Sequence, residues 1–145
     1  MRLLVSLAIA LACATAASAQ DQDYTDQVYR QLHDRYRALA ASGKELRLET
    51  TVINAVDEDG TDDWTFNLEA GRRYAVIAAC DDDCGDLDLR VEDYETEEVL
   101  SEDTESDATP VVTFSPGASG RCTIRMSMYS CGTRYCYAGF SLYEF

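Results

Sequence analysis

From Glu45 to Phe145 turn residues divide the chain into short runs in which apolar and polar side chains alternate, and no helical periodicity interrupts them. A period of two sets one face of each run against a core and the other in solvent, the pattern of half-buried antiparallel strands. Strands are expected over 46–55, 63–68, 72–80, 86–93, 97–101, 110–114, 120–129 and 135–144, with turns at Asp59-Gly60, Ala70-Gly71, Pro116-Gly117 and Ser119-Gly120. Eight short strands without crossover helices predict an all-β fold, an antiparallel β-sandwich of jelly-roll type. Trp64, Phe66 and Leu68 share one face of their strand, as do Cys122, Ile124, Met126 and Met128 of another, and both rows are expected in the core.

Upstream the period changes. Val28, Leu32, Tyr36 and Leu39 recur at spacings of four, four and three, which predicts one short amphipathic α-helix over 21–41. Thr25 or Asp23 is placed to cap its start and Gly43 to end it. The stripe is narrow, so the helix is expected to pack against the domain or a partner without contributing to the core.

Residues 1–19 combine one positive charge at Arg2, an apolar run from Leu3 to Cys13 and the small-residue sequence Ala17-Ser18-Ala19, the features of a secretory signal peptide cleaved near Ala19. The run falls short of the roughly 20 residues of a spanning helix. Ala10 stands where lipid-attachment sites usually carry Leu, so Cys13 is read as part of the discarded leader. The expected organisation is therefore a leader over 1–19, a helix over 20–43 and a β-sandwich over 44–145, secreted or periplasmic and monomeric.

Without the leader, 11 basic side chains face 27 acidic ones, and the formal charge moves from −15 to −16. Such a chain lacks the basic face that phosphate requires, which excludes nucleic acid and anionic membrane as natural partners and favours cations and basic proteins. The acid is concentrated: from Asp81 to Asp107 there are fourteen carboxylates and a single cation, Arg90.

Five cysteines remain in the exported chain. An oxidising compartment pairs what it can, and the two local pairs are Cys80 with Cys84 and Cys131 with Cys136, the second closing the last hairpin. Cys122, on a core-facing position, is left as a buried thiol.

Four stretches carry a resemblance. Asp62-Asp63-Trp64-Thr65-Phe66, Ala70-Gly71-Arg72-Arg73-Tyr74, Asp86-Leu87-Asp88-Leu89-Arg90-Val91, and Pro110–Pro116 followed by Ser119-Gly120 are similar, in order and spacing, to the bacterial pre-peptidase C-terminal domain family. The resemblance implies a non-catalytic β-sandwich module tied to export, to binding of matrix or carbohydrate polymers and, in some members, to calcium that stiffens the fold. Cys122 departs from it, standing where the family usually has an aromatic after Ser-Gly.

Calcium takes six to eight oxygens, and the acidic loop with its following strand offers Asp83, Asp86 and Asp88, with Asp103 from the next connection. These four are the expected metal ligands; the other reading of Asp-Leu-Asp-Leu is a solvated strand whose aspartates bond loop amides. The stretch Asp57–Asp63 superficially resembles a helix-loop-helix calcium loop, but its twelfth position is Leu68 where a bidentate glutamate is needed. Zinc at Cys80 and Cys84 lacks a second cysteine or histidine pair. His33, the one histidine, lies in the helix with no nucleophile motif beside it, so no enzyme is expected. Tyr135, Tyr137 and Tyr143 fall on one face of the last strand and are the expected ligand-binding aromatics. The function this predicts is a binding module for a polymer or protein, stabilised by calcium; the alternative is an acidic, inhibitor-like protein for a basic secreted partner.

Overall fold

The computed structural model describes the backbone of residues 6–145 and the side chains of residues 22–145; the side chains of the leader over 1–19 lie outside the described residues. Helix α1 (Ser6–Ala40) precedes eight strands: β1 (Arg47–Asp57), β2 (Thr61–Leu68), β3 (Tyr74–Cys80), β4 (Cys84–Asp93), β5 (Val99–Asp103), β6 (Val111–Phe114), β7 (Gly120–Cys131) and β8 (Tyr135–Glu144). They form two four-stranded sheets, β1-β8-β3-β6 and β2-β7-β4-β5, and every ladder is antiparallel. The first strand pairs with the last, the second with the seventh, the third with the sixth and the fourth with the fifth. One long antiparallel ribbon is thus folded over itself, which is the jelly roll.

Alternation sets the core. Leu87, Leu89 and Val91 of β4 and Ile124 and Met126 of β7 are fully buried between the sheets, facing Val76, Ala78, Phe140 and Leu142 of β3 and β8. Each such large apolar side chain contributes roughly 1.5–3 kcal/mol. Trp64 departs from the expected core row at 37% exposure, because β2 is the edge of its sheet; its indole Nε1 donates to Asp62 Oδ2 at 2.8 Å.

All seven residues of β3 are buried, so the strand reads as the unbroken apolar run Tyr74–Cys80. The sandwich covers one face. The other lies under α1, where Val28 and Leu32 pack on Ala75, Ile77, Ala79 and Tyr143. The helix therefore builds a second small core, which corrects the expectation drawn from its narrow stripe: the two alanines lower that patch of sheet and let a single row of side chains fill it. Within the described residues the helix also reaches back past residue 21 to Ser6, since no glycine or proline occurs from Ser6 to Ser42 and Ala- and Leu-rich sequence favours helix. Thr25 caps nothing; its hydroxyl donates back to the Gln22 carbonyl at 3.0 Å inside the helix. The end is as expected, with Gly43 at φ 84° and its amide donating to the Ala40 carbonyl at 3.0 Å.

Candidate functional site

The folded ribbon gathers four connections at one end of the sandwich: β1–β2, β3–β4, β5–β6 and β7–β8. Cys80 bonds Cys84 and Cys131 bonds Cys136, as the spacing predicts, and Cys84 lies opposite Cys131 in the β4–β7 ladder, so the two bridges brace neighbouring loops. The Gly132 amide donates to the Asp83 carbonyl at 2.7 Å and the Glu58 amide to the Arg134 carbonyl at 3.0 Å. From the helix, Gln31 Nε2 donates to the Cys80 carbonyl at 2.7 Å, and Gln27 Oε1 accepts the Asp82 amide at 3.2 Å. Two disulfides are what an oxidising compartment leaves in a small domain. Cys122 is a buried free thiol, and burial pushes its pKa up, which removes its reactivity.

Asp81 is the residue that sequence reasoning missed. It is 3% exposed, and its carboxylate accepts the amides of Asp83 at 3.1 Å and Tyr137 at 2.7 Å. Burial raises its pKa against the opposing pull of those two bonds. The signal in the sequence was position: it is the first of three aspartates after a strand-ending cysteine, where a side chain folds back onto loop amides.

Of the four expected metal ligands, Asp86 and Asp103 lie near enough to Asp88 to act on its charge, while their carboxylates have separate surroundings. Asp103 Oδ2 accepts the Val111 amide at 2.9 Å and its Oδ1 the Glu105 amide at 3.3 Å, so this carboxylate ties β5 to β6. It lies opposite Leu89, on the inward side of the sheet, whereas Asp88 alternates with Leu87 and Leu89 and faces out. Asp83 sits in the exposed loop. Asp86 occupies an irregularity in the β4–β7 ladder that tucks its Oδ1 into a buried position with no hydrogen-bond partner. Among the described residues no three His, Cys, Asp or Glu side chains are grouped to hold a metal ion.

The tyrosine face is divided by the helix. Tyr143 is 6% exposed and stacks on Tyr36 with ring centroids 5.3 Å apart, so it is core and not a ligand platform. Tyr137 is half-buried and stacks on Tyr24 at 6.1 Å. Tyr135 stays exposed at the loop end, as does Tyr129 on the opposite sheet, a residue the expected set omitted.

With α1 over the β1-β8-β3-β6 sheet, the open face is that of β2-β7-β4-β5. It carries a cleft of 260 Å³ lined by Thr61, Asp88, Arg90, Thr104, Arg125, Ser127 and Tyr129. Arg125 is held by Asp63 through two bonds of 2.8 and 2.7 Å, and Arg90 Nε donates to Glu102 at 3.1 Å. Desolvation, then the neighbouring Asp86 and Asp103, raise the pKa of Asp88. On the other side of the molecule a groove of 240 Å³ between α1 and the sheet holds His33 and Ser141. Ser141 Oγ is bonded to Thr51 Oγ1 at 2.8 Å, and no hydrogen bond among the described residues joins it to His33, so the pair lacks the contact a nucleophile and its base require.

No family model and no curated protein matches this chain. Solved structures share its fold. The mitogen of Yersinia pseudotuberculosis superposes with a TM-score of 0.54 at 8% identity, covering 68% of this chain and 86% of its own. PliG, a periplasmic inhibitor of g-type lysozyme from Aeromonas hydrophila, gives 0.51 at 11%, covering 66% and 85%. The pre-peptidase C-terminal domain of a Bacillus anthracis collagenase gives 0.47 at 14%, covering 66% and 89%. The chain is similar to these as a β-sandwich. No helix among the described residues is long and apolar enough to cross a membrane.

Proposed function

We propose that this protein is an exported, non-catalytic β-sandwich that binds a protein or polymer through its open β2-β7-β4-β5 face and the disulfide-braced loop end beside it. The observation that carries this reading is asymmetry. One sheet is sealed by α1, with Val28 and Leu32 buried on it, while the other presents polar and aromatic side chains around a cleft. The two local disulfides support export and a loop end held in one shape, which lowers the ordering cost of binding. A basic protein partner is the reading that the charge balance favours, at −15 for the whole chain. That a fold neighbour, PliG, is a periplasmic lysozyme inhibitor makes an inhibitor-like role a natural form of it.

The test is retention of the exported form on immobilised polylysine, cellulose and chitin at low and high salt. Salt-sensitive retention on polylysine supports the basic-protein reading, and salt-insensitive retention on a polysaccharide supports a polymer ligand. Passage through all three supports overturns the binding reading.

A further inference from the structure

We infer that the cleft on the β2-β7-β4-β5 face is a receptor for a primary ammonium group, a lysine side chain presented by a protein partner. This rests on the protein-binding reading above and gives it a site. Three strands place Thr61, Ser127 and Asp88 in one row, because Ser127 lies opposite Thr61 in one ladder and opposite Asp88 in the other. The next row is Asp63, Arg125, Arg90 and Glu102, and there each guanidinium is already engaged. Arg125 is gripped by both oxygens of Asp63, with Glu92 at 3.5 Å, and Arg90 is bonded to Glu102. Arg90 favours the charge on Asp88 by less than burial, Asp86 and Asp103 oppose it, and the Asp88 carboxylate accepts no hydrogen bond from the described residues although it lines the cleft. Its neighbour Asp86 adds a second negative charge with one oxygen buried and unbonded.

Arg90 and Arg125 line the cleft beside Asp88, but their partners Asp63, Glu92 and Glu102, together with Asp86, leave this patch net negative, and a cation relieves it. An anion finds no unpaired guanidinium. Thr61, Ser127 and Thr104 line the cleft with Asp88 and offer hydroxyl acceptors beside its carboxylate, which suits the three N–H donors diverging from one compact ammonium nitrogen. Tyr129, 58% exposed at the mouth, offers its ring to the same charge and to the methylenes behind it.

The experiment is an amide-shift titration of the exported form with tetralysine, with tetralysine acetylated at every Nε, and with cellotriose, in the native protein and in Asp88→Asn, Tyr129→Ala and Glu105→Gln. The first variant keeps the shape of the side chain, the second removes an exposed ring, and the third removes the same charge from an exposed loop acid. Tetralysine is expected to move the amides of Asp88, Ser127 and Tyr129, acetylation to abolish the response, Asp88→Asn to weaken binding about tenfold, and Glu105→Gln to leave it nearly unchanged. Shifts spread over the acidic surface, with Asp88→Asn and Glu105→Gln equal in effect, would mean charge attraction without a pocket and overturn the inference. So would a cleft that answers cellotriose and not tetralysine. Retention on the immobilised supports with a silent cleft sinks this site alone and leaves the broader binding reading standing.

Discussion

Asp81 and Tyr137 grip each other twice: the Asp81 carboxylate accepts the Tyr137 amide at 2.7 Å, and the Asp81 amide donates to the Tyr137 carbonyl at 2.9 Å. A side chain thereby extends the β3–β8 ladder by one rung beyond Cys80, to the base of the disulfide loop. Asp81→Ala would leave a buried amide without its acceptor and is expected to cost about 1–3 kcal/mol, read as a lower urea midpoint with an unchanged slope. Asp81→Asn keeps one acceptor and should lose less.

Much of this architecture was legible in the sequence. All eight expected strands are present within a few residues of their expected limits, because alternation and turn residues act locally. What was not legible depends on which face another element covers. Tyr143 and Tyr135 lie on one face of β8, yet one is under α1 and the other is exposed, and no property of the strand distinguishes them. Asp103 was grouped with Asp86 and Asp88 by composition, and the pleat set it on the other side of the sheet.

The helix is held by few side chains, so each matters. Leu32 is 2% exposed between α1 and Ala75, Ile77 and Ala79, and Leu32→Ala is expected to cost about 2–4 kcal/mol. Amide exchange would locate the loss: α1 and the outward positions of β3 and β8 should open together while the β4–β7 ladder keeps its protection. Uniform loss of protection would show that the helix and sandwich unfold as one unit.

Gly139 is fixed by proximity. A Cβ there would meet the Val52 carbonyl oxygen at 2.5 Å and the Ile53 side chain at 2.8 Å, across the β1–β8 ladder. Gly139→Ala must push one backbone from another, and a cost of about 1–3 kcal/mol is expected in thermal or urea unfolding. Ala at Gly117, where an added Cβ meets nothing within 4 Å, is the matched control and should be nearly neutral.

Of the carboxylates proposed from sequence as calcium ligands, Asp103 is taken up by the Val111 and Glu105 amides, and no three are grouped among the described residues, so calcium is expected to act on this protein as a general divalent ion. The thermal midpoint is expected to change equally with calcium and magnesium at constant ionic strength. A rise specific to calcium, lost in Asp86→Asn, would show that the acidic strand rearranges into a site, because an ion bound to the folded state stabilises it by mass action.

Thiol chemistry tests the loop end and the leader together. Titration of the unreduced, denatured protein should find one thiol per exported chain, Cys122, with Cys80, Cys84, Cys131 and Cys136 paired. Five would overturn the pairing. Two would mark a chain that retains Cys13 and with it the leader.

Asp88 gives the stability a pH dependence of definite sign. Desolvation and the nearby charges of Asp86 and Asp103 raise its pKa above the ordinary 3.8, so the folded protein holds this proton more tightly than the unfolded chain does. In the pH interval immediately above 3.8 the folded state binds more protons, and unfolding free energy must fall as pH rises through the interval. Asp81, raised by burial, contributes in the same direction. Asp93 acts oppositely and lower on the scale: bonds from Thr96 hold its pKa below 3.8, and its contribution disappears as pH falls through that lowered value. Urea unfolding at a series of pH values should therefore show a negative slope above 3.8 in the native protein and a shallower one in Asp88→Asn, whose amide cannot ionise. Equal slopes in the two proteins would mean that Asp88 is solvated like any exposed carboxylate, with no desolvation for a bound ammonium to relieve.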